Sequence, residues 1–232
     1  MEATMSVPVS AASSGPEGGG GGLTKPKLRG VSHEAAFYAA LGAGIAMVSL
    51  AKTLRTGLAL GVFALSLTTM FGISALYHRP TWGPAARKLM RQLDHCGIFL
   101  LIAGTYTPIC LLVLPESNGL FLLKAVWLGA GAGILQSIFW VHAPKPVTAG
   151  ICIALGWLVV KDLPVLWQHL GPTGCLLMFL GGLFYTVGGI AYGSRRPNPV
   201  PGVFGYHEVF HALVVAAAMS HYAMILRVAR GL

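Results

Sequence analysis

Residues 205–222 read GYHEVFHALVVAAAMSHY. From Ala212 to Met219 the run is apolar without interruption, and with its flanks it is long enough for one crossing of a bilayer, which takes about 20 residues. Yet it opens with His207, Glu208 and His211 and carries His221 further on. An ionisable side chain within hydrocarbon costs several kcal/mol, so its presence there is by default a functional signal. The stretch therefore sets two questions: whether the chain is built of membrane helices, and what its imidazoles do.

Composition answers the first. Of 232 residues, 55% are hydrophobic and 10% charged, and the mean hydropathy is +0.70. Soluble domains carry about 25% charged residues. The formal charge is +9, but the cations form short clusters between apolar runs, as membrane loops do, which argues against nucleic acid as a partner. Cys96, Cys110, Cys152 and Cys175 all lie in apolar segments without a CxxC pair. They read as small buried side chains, not as disulfides or thiolate ligands. Residues 1–30, rich in Gly, Ser, Ala and Pro, have no apolar signal-peptide core and read as a disordered tail ahead of a membrane domain at 31–232.

Runs of membrane-spanning length fall at 33–51, 56–78, 92–114, 120–141, 147–167, 173–193 and 205–226. The expected fold is all-α, an integral membrane bundle of seven transmembrane helices. The fifth span is the weakest, because Lys161, Asp162 and Pro164 interrupt it. With seven crossings, Lys25, Lys27, Arg29, Arg79, Arg87, Lys88, Arg91, Lys145, Arg195 and Arg196 share the face of the N-terminus. The opposite face holds Lys52, Arg55, Arg227 and Arg230, with Lys124 and Lys161 nearby. That bias predicts a cytoplasmic N-terminus and a C-terminus outside the cell or in a lumen, with the plasma membrane expected ahead of an organelle. Glycines in GAGAG (129–133) and the pair Gly189/Gly193 are expected to let helices approach closely. Thr107-Pro108 is expected to kink the third span.

The same topology gathers the polar residues. His78 ends the second span, Asp94 lies at the start of the third, and His207 and His211 open the seventh, so all four fall at one depth near one face. His207 and His211 are spaced i, i+4 and share a helix face. With His78 they offer three nitrogens to one ion, leaving a fourth position open to water as in a catalytic site. Nitrogen donors without thiolates favour Zn2+, with iron and other divalent ions as alternatives. Ser74 precedes His78 by one helical turn and can hydrogen-bond beside it, and Asp94 can handle a proton. HEVFH also fits H-E-x-x-H, in which the glutamate is the general base of a metalloprotease. Taken singly, a histidine at a helix end is more often an interfacial anchor, and His95 is read that way; His33 and Glu34 are expected to cap the first helix or meet headgroups. His221 lies too far along the helix from His211 to share an ion and is expected to bond a neighbouring helix.

SALYH (74–78), LDHCGIFLLIAGTYTP (93–108), GGLFYTVGGIAYGSRRP (181–197) and FGYHEVFHALVVAAAMSH (204–221) together resemble the hemolysin III branch of the progestin and adipoQ receptor superfamily, which includes the adiponectin receptors. The resemblance covers roughly residues 31–227. It implies seven helices with the N-terminus inside, zinc on His78, His207 and His211, and Asp94 and Ser74 beside the metal. Glu208 matches hemolysin III members, whereas adiponectin receptors have Gln there, which argues against an indispensable base and a protease. Relatives are viewed as lipid-amide hydrolases of the ceramidase type, others as receptors, and bacterial ones as hemolysins. The expected function is a zinc-dependent hydrolase of a lipid amide or ester, with Asp94 and Ser74 as catalytic residues and membrane lipids, ceramide-like, as substrates. The alternative is a membrane receptor with a structural zinc; a cytolysin fits less well, since every span looks permanently embedded.

Overall fold

The computed structural model describes residues 25–231, so the expected tail lies outside the described residues as far as position 24. Seven α-helices follow in order: α1 (Val31–Val48), α2 (Leu54–His78), α3 (Pro84–Leu112), α4 (Glu116–Phe139), α5 (Lys145–Gly156), α6 (Leu163–Ser194) and α7 (Tyr206–Arg230). A 3-10 turn, Leu158–Asp162, joins α5 to α6. Among the described residues, six helical runs are long and apolar enough to cross a membrane, the run Lys145–Ser194 counting as one.

That long run is divided at the places where the sequence weakens. α5 stops at Gly156, and the segment containing Lys161 and Asp162 tightens into the 3-10 turn. A second break falls at Gly171, with φ 64° and ψ −178°, a backbone state open essentially to glycine alone. Pro172 then restarts the helix. α5 lies antiparallel to the end of α6, since Pro146 faces Gly193, Ile153 faces Gly189 and Trp157 faces Gly182. The small residues singled out at 189 and 193 thus do bring two helices together.

Consecutive helices pack against one another, and α7 returns to α1, closing the bundle. Phe63, Phe99, Leu60, Val126 and Met224 fill the interior. Gly133 on α4 lies against the ring of Phe99. Large apolar side chains face outward, Phe139 being 82% exposed; a surface so apolar suits lipid. α3 continues as one helix through Pro108. The Thr107 hydroxyl beside it donates to the Ala103 carbonyl one turn earlier, at 2.8 Å. All four cysteines are unpaired.

The break after α5 would strand backbone groups in a region without water. Tyr106 from α3 meets them: its hydroxyl stands 2.7 Å from the Gly156 carbonyl and 3.2 Å from that of Leu155, and accepts from the Val159 N–H at 3.0 Å. Asp162 is buried, pairs with Lys161 at 3.0 Å and accepts from Asn118 at 3.4 Å. The polar residues that weaken the fifth span are held by the fold itself.

Candidate metal centre and its cavity

The end of α2 and the start of α7 meet through three imidazoles. His78, His207 and His211 each present a nitrogen, and these atoms all lie within 4.8 Å of one another. The Nε2 atoms of His78 and His207 stand 3.2 Å apart. Two nitrogens bound at 2.0–2.1 Å to a tetrahedral ion would be separated by about 3.3 Å. His211 is 2% exposed, and its Nδ1 is buried without a hydrogen-bond partner among the described residues. Three ring nitrogens converging this closely are what a cation could hold. The group fits a metal; the geometry does not choose which one.

Asp94 lies beside the three imidazoles, its Oδ2 3.8 Å from His78 Nε2. Ser74, one turn before His78, is buried, and its hydroxyl is 2.8 Å from His33 Nδ1. The four residues expected near one face from α2, α3 and α7 are therefore brought together, with Ser74 against them.

His33 was expected to cap α1 or meet headgroups. It is instead 2% exposed, and its ring stacks on His211 with centroids 3.8 Å apart and planes within 9°. It is a fourth imidazole of the cluster, stacked on the His211 ring and hydrogen-bonded to Ser74. The signal was available: α1 also starts from the N-terminal face, so the depth argument that found the other histidines applies to His33. Its neighbour Glu34 does point outward, to Arg79 at 2.6 Å. His95, expected to face away at the interface, also lines the cavity.

Glu208 is buried but turned from the cluster. One carboxylate oxygen accepts from the Gly205 N–H at 2.8 Å, capping α7, and the other is paired with Arg29. The H-E-x-x-H spacing is thus met without the geometry of a metalloprotease base. Arg29 belongs to a strap at residues 25–30 whose Lys27 and Leu28 N–H groups donate to the carbonyls of Gly202 and Val203. At Gly30, with φ 80°, a Cβ would come within 2.7 Å of the His78 Cβ, so glycine lets the strap lie close against His78.

The cluster opens into a cavity of about 730 Å³, within the range of small-molecule sites. Lys25, Arg87, Arg91 and Lys145 contribute to one end of its lining, and Ile98, Ile102 and Trp157 to its apolar walls. Partial burial and the nearby Arg79, Arg29 and Arg87 cations hold the Lys25 ammonium below its ordinary pKa. Lys145 donates to the Tyr206 hydroxyl at 2.6 Å and lies over the rings of Tyr192 and Tyr206.

A model of the haemolysin-III-related family matches residues 22–222. The Hemolysin-3 of Bacillus cereus is 36% identical over 166 residues, covering 71% of this chain and 72% of that protein. The Hemolysin-3 homolog of Bacillus subtilis is 31% identical over 165 residues, covering 71% and 74%. A rice protein (Oryza sativa subsp. japonica), the heptahelical transmembrane protein ADIPOR2, is 28% identical over 180 residues, covering 71% and 79%.

Proposed function

This chain belongs to the haemolysin-III-related family, and we propose that it is a zinc-dependent hydrolase of a membrane lipid amide or ester. We read the bundle as seven crossings, α5 with the following turn being the fifth, and the N-terminus as cytoplasmic. The basic strap and loops support a position of the metal centre near the cytosolic face. Fluorescent maleimide labelling of Arg87→Cys and Arg230→Cys, in a background without native cysteines, tests that orientation. Access to position 87 from outside sealed cells would reverse it.

The observation that carries the reading is that the three imidazoles face an amphipathic cavity rather than closed packing. His78, His207 and His211 would hold the ion, which when bound supplies a Lewis acid for a carbonyl and lowers the pKa of water toward about 7. The apolar walls would bind the lipid chain and exclude water from it. Asp94, beside His78 and on the cavity wall, is placed to take a proton and return it to a leaving amine or alcohol. Ser74, oriented by His33, is placed to hold a hydrogen bond at the reacting group. His33 itself acts as a positioning residue through Ser74 and the ring of His211.

A receptor stapled by a structural metal is the second reading, favoured by the way the triad joins α2 to α7. A panel of lipid amides and esters, incubated with purified protein with and without a chelator, separates them. Chelator-sensitive release of a fatty acid supports the hydrolase. No release from any member of the panel by zinc-loaded protein favours the staple.

A further inference from the structure

The deep end of the cavity holds polar groups that the proposed chemistry does not use, and nearly all of them are matched within the protein. Trp157 Nε1 donates to Thr186 Oγ1 at 2.9 Å, and that hydroxyl donates to the Gly182 carbonyl at 2.7 Å. Thr105 donates to the Leu101 carbonyl at 2.8 Å, and Tyr106 serves the α5 break. Two groups on the same lining differ. Both residues border the cavity, and on each one polar atom, the Tyr185 hydroxyl and His221 Nδ1, is tucked behind its wall, buried and with no hydrogen-bond partner among the described residues. They are neighbours, their ring centroids 5.6 Å apart.

An unpaired buried polar group is destabilising, and two such groups side by side call for a common explanation. The tautomer of His221 sharpens it. Its Nε2 lies 3.2 Å from the Met178 carbonyl, which can only accept, so Nε2 carries the hydrogen. In the neutral ring Nδ1 is then an acceptor, while the Tyr185 hydroxyl has a hydrogen to give. Gly181 is what admits the imidazole, since a Cβ there would collide with the His221 ring.

We propose that Tyr185 and His221 form a distal subsite that binds a hydroxyl group of an otherwise apolar ligand. A hydroxyl both accepts, as Tyr185 requires, and donates, as His221 Nδ1 requires; a bare hydrocarbon end does neither. His211 and His221 are separated by ten residues of α7, on the order of 15 Å at 1.5 Å per residue. The ligand is therefore a chain with one polar end at the histidine cluster and a hydroxyl about that far along it. This deepens the lipid reading of the cavity and rests on it, but the subsite is tested by binding alone.

The probes are dodecanoic acid and 12-hydroxydodecanoic acid, whose extended length is similar to that separation, titrated calorimetrically into the detergent-solubilised full-length protein. An apolar pocket penalises the added hydroxyl. The subsite should instead raise the affinity ratio of hydroxylated to plain acid by about tenfold over the ratio in Tyr185→Phe. That variant removes a single oxygen and keeps the ring; His221→Phe should lower the ratio likewise. Such a shift supports the subsite even if no lipid is hydrolysed. An unchanged ratio in both variants would overturn it while leaving the lipid reading intact, and binding of neither acid to the wild type would overturn both.

Discussion

Two regions of this bundle carry polar side chains where lipid-facing helices should have none, and they treat them in opposite ways. At the α5 break, Tyr106, Asn118, Lys161 and Asp162 turn to one another or to backbone that the break exposes. At the strap end, His78 and His207 aim two ring nitrogens at each other across 3.2 Å, and His211 Nδ1 has no partner among the described residues. Both places bury polar side chains, Tyr106 and Asp162 at the break and His78 and His211 at the strap end. At the break the protein supplies hydrogen-bond or ion-pair partners from within; at the strap end it leaves ring nitrogens that could hold a ligand.

The variant that should separate the regions most is Asp94→Asn. Asparagine keeps the shape and can hydrogen-bond, but it cannot take and return a proton at neutral pH. Lipid hydrolysis should fall about 10²–10⁴-fold, with metal content and thermal stability near wild type. Wild-type hydrolysis by this variant would reduce Asp94 to a packing partner.

Tyr106→Phe should show the reverse pattern. Removing one hydroxyl strands the groups at the break, at about 1–3 kcal/mol for each left unpaired. Its melting temperature should drop while bound metal, measured per folded chain, stays the same. Metal lost in proportion to stability would mean the two regions are not separable.

A smaller effect is expected from Glu208→Gln. Glutamine can still cap the Gly205 N–H, and only the charge pairing with Arg29 is lost. Hydrolysis should stay within about threefold of wild type, against the hundredfold or more that loss of a general base brings. A hundredfold loss with stability unchanged would restore the metalloprotease-like role that the H-E-x-x-H spacing suggests.

Much of this comparison can be read from the chain. Apolar run length locates the helices, and the breakers Lys161, Asp162 and Pro164 mark where the fifth run yields. Depth and i, i+4 spacing bring together His78, His207 and His211, because a membrane helix fixes the height of each residue in advance. Rotation is not fixed so simply. Nothing in the spacing around His33 says that its ring turns inward while Glu34 turns out; that appears only once α1 packs on α2 and α7, where Ser74, Phe71 and His211 surround the ring. Glu208 misleads for a related reason: its spacing fits a zinc-site base, but Arg29, 179 positions away, claims the carboxylate. Tyr106 sits in an ordinary apolar stretch, and its task appears only once α5 has stopped beside it.

The most direct test is metal content. Wild-type protein purified without chelators should carry about one zinc per chain by elemental analysis, the number that three converging imidazoles can hold. His78→Ala and His211→Ala should carry close to none, whereas Tyr106→Phe should keep its ion. A wild type that takes up no metal when zinc is supplied, or a His211→Ala variant that retains the full amount, would contradict the account.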